Sequence, residues 1–197
     1  MGPPQIDHPK PKLTEMKFKE TSLKGALIVE PERLVDDRGF FARSWDAREF
    51  QAHGLNPMVV QSSISFNEKK GTLRGMHYQA KPFEEAKLVR CTRGAIYDVI
   101  IDLRSDSPTF KKWTGVELTE DNYRTLYIPE GFANGFLTLE NWTEVLYQMS
   151  QYHNPASAQG VRWNDPAFGI EWPAPVHVIS DRDKNYPDFV GQGGSER

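Results

Sequence analysis

The sequence is poor in the features that define several large classes of protein. It has one cysteine in 197 residues, so no internal disulfide framework can form, which fits a reducing compartment. It has no apolar run long enough to span a bilayer and no charged-then-apolar leader. The formal net charge of −3 demands neither nucleic acid nor an anionic membrane as partner. These absences predict a soluble, cytoplasmic protein and leave a phosphate-bearing small molecule open as its ligand.

The composition is sufficient for one folded domain with a polar segment at each end. Hydrophobic residues make up 38% of the chain and aromatic residues 12%, which is enough for a core. Residues 1–19 are rich in proline and lysine and are predicted to be a flexible N-terminal segment. Residues 186–197 are predicted to be a polar C-terminal tail. The folded domain is therefore expected to span residues 20–185.

Short alternating apolar runs dominate the chain from Met58 onward. They follow one another at intervals of roughly ten residues, with turn signals between them, which is typical of a β-sandwich or barrel. The strongest strand prediction covers residues 95–103, where Asp98 lies among apolar neighbours and needs a buried partner. The pattern predicts an all-β fold.

One helix is predicted from its end signals. Asp46 can cap its first turn, and Gly54 can end it. Cys91 lies within an alternating run and is interpreted as a core residue rather than a reactive thiol. The expected protein is thus all-β with a few short helices.

A lone histidine among basic residues is the first candidate for chemistry. His77 follows Arg74 and Gly75 in a strand-like stretch, and Lys87 comes soon after. On an extended chain Arg74 and His77 point to opposite faces unless the backbone kinks, and Gly75 is where a kink is least costly. A histidine in a β-protein is more often structural than catalytic, and Lys87 alone would be read as a solvated strand charge. The residues by themselves leave both interpretations open.

A metal centre is one alternative for this region. Metal-binding barrels of the cupin type use a His-x-His pair and a later histidine after a Pro-x-Gly turn. Here Gln79 stands at the second position of the pair, and Asn134 follows the turn at residues 129–131. Glutamine and asparagine are poor ligands for transition metals. The sequence therefore resembles a cupin frame and predicts no metal site in it.

A series of short motifs, in order from residue 26 to residue 173, resembles the dTDP-4-dehydrorhamnose 3,5-epimerase family. They are Glu-Pro (30–31), Asp-Arg-Gly-Phe-Phe (37–41), Leu-Arg-Gly-Met-His-Tyr-Gln (73–79), Lys-Leu-Val-Arg (87–90), Tyr-Asp-Val-Ile-Ile-Asp (97–102), Ser-Pro-Thr-Phe (107–110), Ile-Pro-Glu-Gly-Phe-Ala (128–133), Trp-Asn-Asp-Pro (163–166) and Gly-Ile-Glu-Trp-Pro (169–173).

The resemblance implies a cupin-like β-barrel, or jelly roll, that needs no metal and no redox cofactor. It implies a nucleotide-linked 4-keto-6-deoxy sugar as substrate, most simply the dTDP-linked one, epimerised at C3 and C5. It also implies a homodimer that exchanges N-terminal strands to cover sheet edges, with residues 26–29 as the candidate strand.

Four catalytic roles follow from the resemblance. His77 is the base that removes a proton from the carbon beside the ketone, and the carboxylate of Asp165 holds its imidazole. Tyr147 is the proton donor, and Lys87 lies near the keto oxygen. Without the resemblance, Asp165 would be read as a turn residue before proline.

Five further residues are predicted to bind the substrate. Arg38 and Arg74 correspond to positions that hold the diphosphate, and Gln61 to a contact on the nucleotide side. Asn134 stands where the family has a histidine beside the sugar, and Tyr152 stands in the place of a tyrosine pair. These departures leave open a variant that inverts only C3 or only C5. A non-catalytic sugar-nucleotide-binding barrel and a metal-dependent oxygenase compete with the epimerase interpretation.

Overall fold

The computed structural model describes residues 15–190, and β-strands dominate it. No helix in this range is long and apolar enough to cross a membrane. The elements, in chain order, are β1 (Met16–Glu20), β2 (Leu27–Pro31), β3 (Arg33–Asp36), β4 (Gly39–Ala42), α1 (Ala47–Ala52), β5 (Gln61–Asn67), β6 (Thr72–Gln79), β7 (Lys87–Arg93), β8 (Ala95–Asp102), β9 (Trp113–Thr119), β10 (Thr125–Ile128), β11 (Phe132–Thr138), β12 (Thr143–Met149), β13 (Ala158–Gly160), β14 (Val178–Ile179) and α2 (Asp181–Lys184). The all-β expectation is confirmed.

Two large sheets and one hairpin account for all the strands in residues 15–190. The first sheet has the order β1-β2-β10-β7-β12-β5. The second has the order β13-β6-β11-β8-β9, with β14 added in parallel beside β6. Strands β3 and β4 pair only with each other, so they form a separate hairpin.

The main core lies between the two sheets. Ile96 and Ile100 on β8 face Val89 and Leu126 of the first sheet across this core. Another hydrophobic cluster, around Val99, covers the opposite face of β8, so that strand is buried on both sides. Burial on both faces explains why residues 95–102 read as a nearly continuous apolar run.

The helix predicted between Asp46 and Gly54 is confirmed. The Asp46 carboxylate accepts hydrogen bonds from the backbone N–H groups of Arg48 (2.9 Å) and Glu49 (3.3 Å), which caps the first turn. Phe50 is the one buried residue of this helix and seats it against the first sheet. Cys91 is 0% exposed, as its interpretation as a core residue requires.

The domain boundaries need correction at both ends. Strand β1 begins at Met16, inside the segment predicted to be flexible, and pairs along its length with β2. At the other end, the ring of Phe189 lies 5.2 Å from that of Phe168 and belongs to a core cluster. A few anchoring aromatic contacts hold a stretch whose composition is otherwise polar. Residues 1–14 and 191–197, the rest of the two predicted segments, lie outside the described residues.

Candidate active site

Two adjoining cavities lie between the sheets. Their volumes are about 490 Å³ and about 300 Å³, and they share His77, Lys87 and Tyr147 as lining residues. His77 belongs to β6 of the second sheet, whereas Lys87 and Tyr147 belong to β7 and β12 of the first. The histidine therefore faces the lysine and the tyrosine from the opposite wall.

A carboxylate holds the imidazole of His77, and it belongs to Asp183. The distance between His77 Nε2 and Asp183 Oδ1 is 2.7 Å, and the other carboxylate oxygen accepts a hydrogen bond from the Gly75 backbone N–H at 3.1 Å. Asp183 is 4% exposed and lies on α2. The two contacts fix this carboxylate against the middle of β6.

The charge state of Asp183 determines which ring nitrogen of His77 carries the proton. Burial acts to raise the pKa of Asp183, but the hydrogen bond and charge of His77, with the Gly75 and Ser180 contacts, outweigh burial and lower that pKa. An ionised carboxylate can only accept hydrogen bonds, so Nε2 of His77 carries the proton. In the neutral imidazole the lone pair is then on Nδ1, the ring nitrogen that can accept a proton.

The prediction that Asp165 holds His77 is wrong. Asp165 is buried, but its carboxylate accepts hydrogen bonds from the backbone N–H groups of Ala167 (2.8 Å) and Phe189. It closes the turn at the Trp-Asn-Asp-Pro motif and fastens the C-terminal segment. A carboxylate saturated by backbone donors in a turn is the interpretation that the motif favours without the family resemblance.

Tyr147 and Lys87 lie near two further carboxyl groups, Glu85, which lines the smaller cavity, and Asp98, which is fully buried and lines neither cavity. Burial raises the pKa of Tyr147, and the nearby Asp98 adds to this effect. The ammonium group of Lys87 lies 3.2 Å from Glu85, and both side chains are mostly buried. Burial also raises the pKa of Asp98 to about 8, against the lowering effects of Asn134 and Lys87. This wall of the two cavities therefore combines the hydroxyl of Tyr147, which keeps its proton, with the ammonium group of Lys87.

Arg74 and His77 line the same cavity, and the backbone between them departs from the regular strand at Gly75, the position where the sequence makes a kink least costly. Gly75 has a φ of +139°, a conformation that side-chain-bearing residues rarely adopt. A Cβ there would collide with the Cα of Gly135, so β11, and not a ligand, occupies the space that the glycine leaves. Arg74 Nε donates to Asn67 Oδ1 at 2.8 Å.

The other predicted binding residues divide into two groups. Asn134 lines the larger cavity, and Gln61 lines the smaller one, where its side-chain oxygen accepts a hydrogen bond from the His153 N–H at 2.6 Å. Arg38 and Tyr152 line neither cavity. Arg38 lies at the tip of the β3–β4 hairpin with 89% of its side chain exposed, and Tyr152 is 62% exposed. Their roles stay predictions.

The segment that completes the site, residues 180–183, was not predicted from the sequence. Arg182 on α2 lines the smaller cavity, and Ser180 lines the larger one next to Asp183. The available signal was the pattern Ser180-x-x-Asp183, which is typical of a helix start. The Ser180 side chain does accept a hydrogen bond from the Asp183 N–H at 3.1 Å. Within residues 15–190, no three His, Cys, Asp or Glu side chains converge into a metal-binding group.

Comparisons with known proteins agree with this architecture. The sequence model of the family described as dTDP-4-dehydrorhamnose 3,5-epimerase matches residues 20–190. A protein of that name from Methanothermobacter thermautotrophicus is 43% identical over 178 residues, which cover 88% of this chain and 95% of that protein.

Solved structures superpose on the chain over most of its length. The Bacillus anthracis dTDP-4-dehydrorhamnose 3,5-epimerase, with TDP and PPi bound, gives a TM-score of 0.85 at 42% identity and covers 89% of this chain and 100% of that one. The Legionella pneumophila 3,5-epimerase, in complex with dTDP-4-keto-L-rhamnose, gives a TM-score of 0.80 at 36% identity and covers 86% and 90%. The cupin-like jelly-roll expectation is confirmed, and the chain belongs to the dTDP-4-dehydrorhamnose 3,5-epimerase family.

Proposed function

We propose that this protein is an isomerase that epimerises dTDP-4-dehydro-6-deoxy-D-glucose at C3 and C5 to dTDP-4-dehydro-L-rhamnose. The observation that carries the proposal is the placement of His77 and Tyr147 on opposite walls of the same cavities. Inversion at carbon requires that a proton leave one face of the sugar ring and return to the other. A base and an acid that face each other meet this requirement. The named relatives and their nucleotide ligands support the substrate class.

Each step of the reaction has a side chain available. His77 takes the proton from the carbon beside the C4 ketone, while Asp183 holds the ring and stabilises the imidazolium that forms. The electron pair moves into the ketone, and the resulting enolate oxygen is stabilised by the Lys87 ammonium. Tyr147 then gives its proton to the opposite face of the same carbon.

The diphosphate and the nucleotide need cations and polar groups beside the sugar. Arg74 in the larger cavity supplies a guanidinium group, which suits phosphate oxygens. Gln61, which lines the smaller cavity, is assigned to the nucleotide side, and Tyr152, which lines neither cavity, is assigned to substrate binding. The buried Cys91, as the single cysteine, supports a cytoplasmic location for the enzyme.

A homodimer is part of the proposal, but the exchanging element is revised. Strand β2, which contains most of the predicted exchange segment, pairs with β1 on one side and β10 on the other within its own chain. The β3–β4 hairpin instead exposes apolar side chains, with Val35 at 78% and Phe41 at 63% exposure. We propose that a second copy covers this hairpin and that Arg38 reaches the site of that copy.

Proton NMR of the substrate with the enzyme in D2O tests the proposed reaction. We expect the C3 and C5 proton signals to disappear, and His77→Ala to stop both exchanges while the protein stays folded. Asp165→Asn serves as a control with a buried carboxylate changed outside the cavities. Full exchange by the His77→Ala variant would reject the assigned base, and a folded wild-type enzyme with no exchange would reject the function.

Subunit complementation tests the dimer and the place of Arg38. Mixed dimers of a His77→Ala chain and an Arg38→Ala chain should regain exchange, because one of their two sites has both residues. Phe41→Asp should shift the mass measured by light scattering toward the monomer, whereas Val190→Asp, at an apolar position that is more exposed still, should not. Mixed dimers without any regained activity would reject the contribution of Arg38 across the interface.

A further inference from the structure

The side chain that faces the cavity beside His77 is held in one orientation. Asn134 on β11 lies directly opposite His77 on the neighbouring antiparallel strand β6. It lines the larger cavity and is 5% exposed. Paired residues on neighbouring antiparallel strands have Cβ atoms about 5 Å apart. A ligand atom bound by Asn134 therefore lies close to the base.

The amide of Asn134 has its nitrogen toward the protein interior. Nδ2 donates a short hydrogen bond to Asp98 Oδ1 and a longer one, at 3.4 Å, to the backbone carbonyl of Val99. A backbone carbonyl can only accept, so the reversed amide would place two acceptor oxygens against each other. The side-chain oxygen of Asn134 accepts no hydrogen bond from residues 15–190 and is left to the cavity.

Asp98 provides the fixed point behind this amide. It is 0% exposed and lies on the inner face of β8, on the same face as Ile96 and Ile100. Its second oxygen has no hydrogen-bond partner among the described residues. Because its pKa is raised to about 8, the carboxyl is mostly protonated at neutral pH, and its carbonyl oxygen accepts from Nδ2. The group is too buried to contact the substrate itself.

We propose that Asp98 is a positioning residue that orients Asn134 so that its oxygen accepts a hydrogen bond from the substrate hydroxyl on C3. The proposal rests on the proposed function and adds the selection of one carbon. The keto oxygen is an acceptor and pairs with Lys87 on the opposite wall, whereas the C3 hydroxyl is a donor and pairs with Asn134. This arrangement places the C3 proton next to His77.

The same contact gives no help to the second reacting carbon. C5 lies on the other side of the ketone and bears a methyl group and the ring oxygen, so it offers no donor to Asn134. Asn134 therefore favours exchange at C3 and is neutral toward exchange at C5. The ratio of the two exchange rates, read in one spectrum, is an internal control for damage to the base or to the fold.

The first experiment measures this ratio in Asn134→Leu, which keeps the size of the side chain and removes the acceptor. We expect the C3 exchange rate to fall about tenfold, the effect of one lost hydrogen bond, while the C5 rate changes less than about threefold. A C3 to C5 ratio equal to that of the wild type would overturn the proposal. Absence of exchange in the wild type would instead reject the proposed function.

The second experiment separates Asp98 from Asn134. Asp98→Asn keeps an acceptor oxygen for the Asn134 amide and should keep the wild-type ratio, whereas Asp98→Leu removes that acceptor and should lower the ratio as Asn134→Leu does. A purely structural Asp98 would lower both rates equally in Asp98→Leu, and this result would reject the positioning role. Thermal unfolding of each variant confirms that the protein measured is folded.

Discussion

Asp183 fixes His77 at 2.7 Å although 106 positions separate the two residues along the chain. Asp183 belongs to α2, a four-residue helix, and reaches the base because β14 next to it pairs with β6. The short helix and the long strand are therefore one functional unit. The unit explains how His77, the proposed base, obtains a carboxylate partner that the sheet itself does not provide.

Replacing Asp183 should damage catalysis more than replacing Asp165. Asp183→Asn keeps the shape of the side chain but lets the imidazole adopt the wrong tautomer, so we expect the exchange rate to fall by about 10²- to 10⁴-fold. Asp165→Asn, which lies in a turn outside both cavities, should cost less than about tenfold. The initial rate of proton exchange measures both, and a larger loss in Asp165→Asn would contradict the assignment.

The buried carboxyl of Asp98 should make stability depend on pH. Its pKa is about 8 in the folded protein and 3.8 ordinarily, so the folded state holds a proton that the unfolded state has lost between these values. The free energy of unfolding should therefore fall as pH rises from about 4 to about 8, by up to about 1.4 kcal/mol per pH unit from this group.

Denaturant unfolding at several pH values measures this slope. Asp98→Asn cannot ionise, so its free energy of unfolding should fall less steeply between pH 5 and pH 8 than that of the wild type. Equal slopes in the two proteins would show that the Asp98 carboxyl is ionised in the fold.

Cys91 should be unreactive in the folded protein. Burial raises the pKa of its thiol to about 12, and the thiolate is the form that reacts with disulfide reagents. We expect no modification by an aromatic disulfide at pH 8 until denaturant is added, when one thiol per chain should react. Rapid reaction of the native protein would contradict the core placement of Cys91.

The carboxylate of Asp165 should hold the C-terminal segment in place. Asp165→Ala removes the buried carboxylate that accepts hydrogen bonds from the N–H groups of Ala167 and Phe189, so we expect a loss of about 1–3 kcal/mol in the free energy of unfolding. Amide hydrogen exchange should quicken at Phe189. Asp188→Ala breaks only the partly exposed pair with Arg162 and should cost less than about 1 kcal/mol. Equal losses in the two variants would contradict the assignment.

Local patterns predicted most of the fold because they act over short distances. The helix capped by Asp46 and the strand predicted at residues 95–103 each depend on neighbouring residues, and the structure confirms both. The partner of His77 could not be predicted in this way. Asp165 and Asp183 both stand in turn-like contexts, and only the closure of the two sheets determines which one reaches the imidazole.

The β3–β4 hairpin shows the same limit from another side. Its turn at residues 36–39 is evident from the sequence, since Asp36 and Gly39 are strong turn residues. The relation of the hairpin to the site is not evident from the sequence, because the hairpin lines neither cavity of its own chain. The role proposed for Arg38 requires a second copy of the chain, which local patterns do not describe.

The long separation of His77 and Asp183 also makes the reaction a test of complete folding. A folding intermediate that has formed its hairpins but has not joined α2 to β6 lacks the contact between Asp183 and His77. We therefore expect it not to catalyse proton exchange. During refolding, proton exchange should therefore return when α2 joins β6 and Asp183 reaches His77. It should not return earlier, when the β-strands first form. Recovery of activity would therefore report the step in which α2 joins β6.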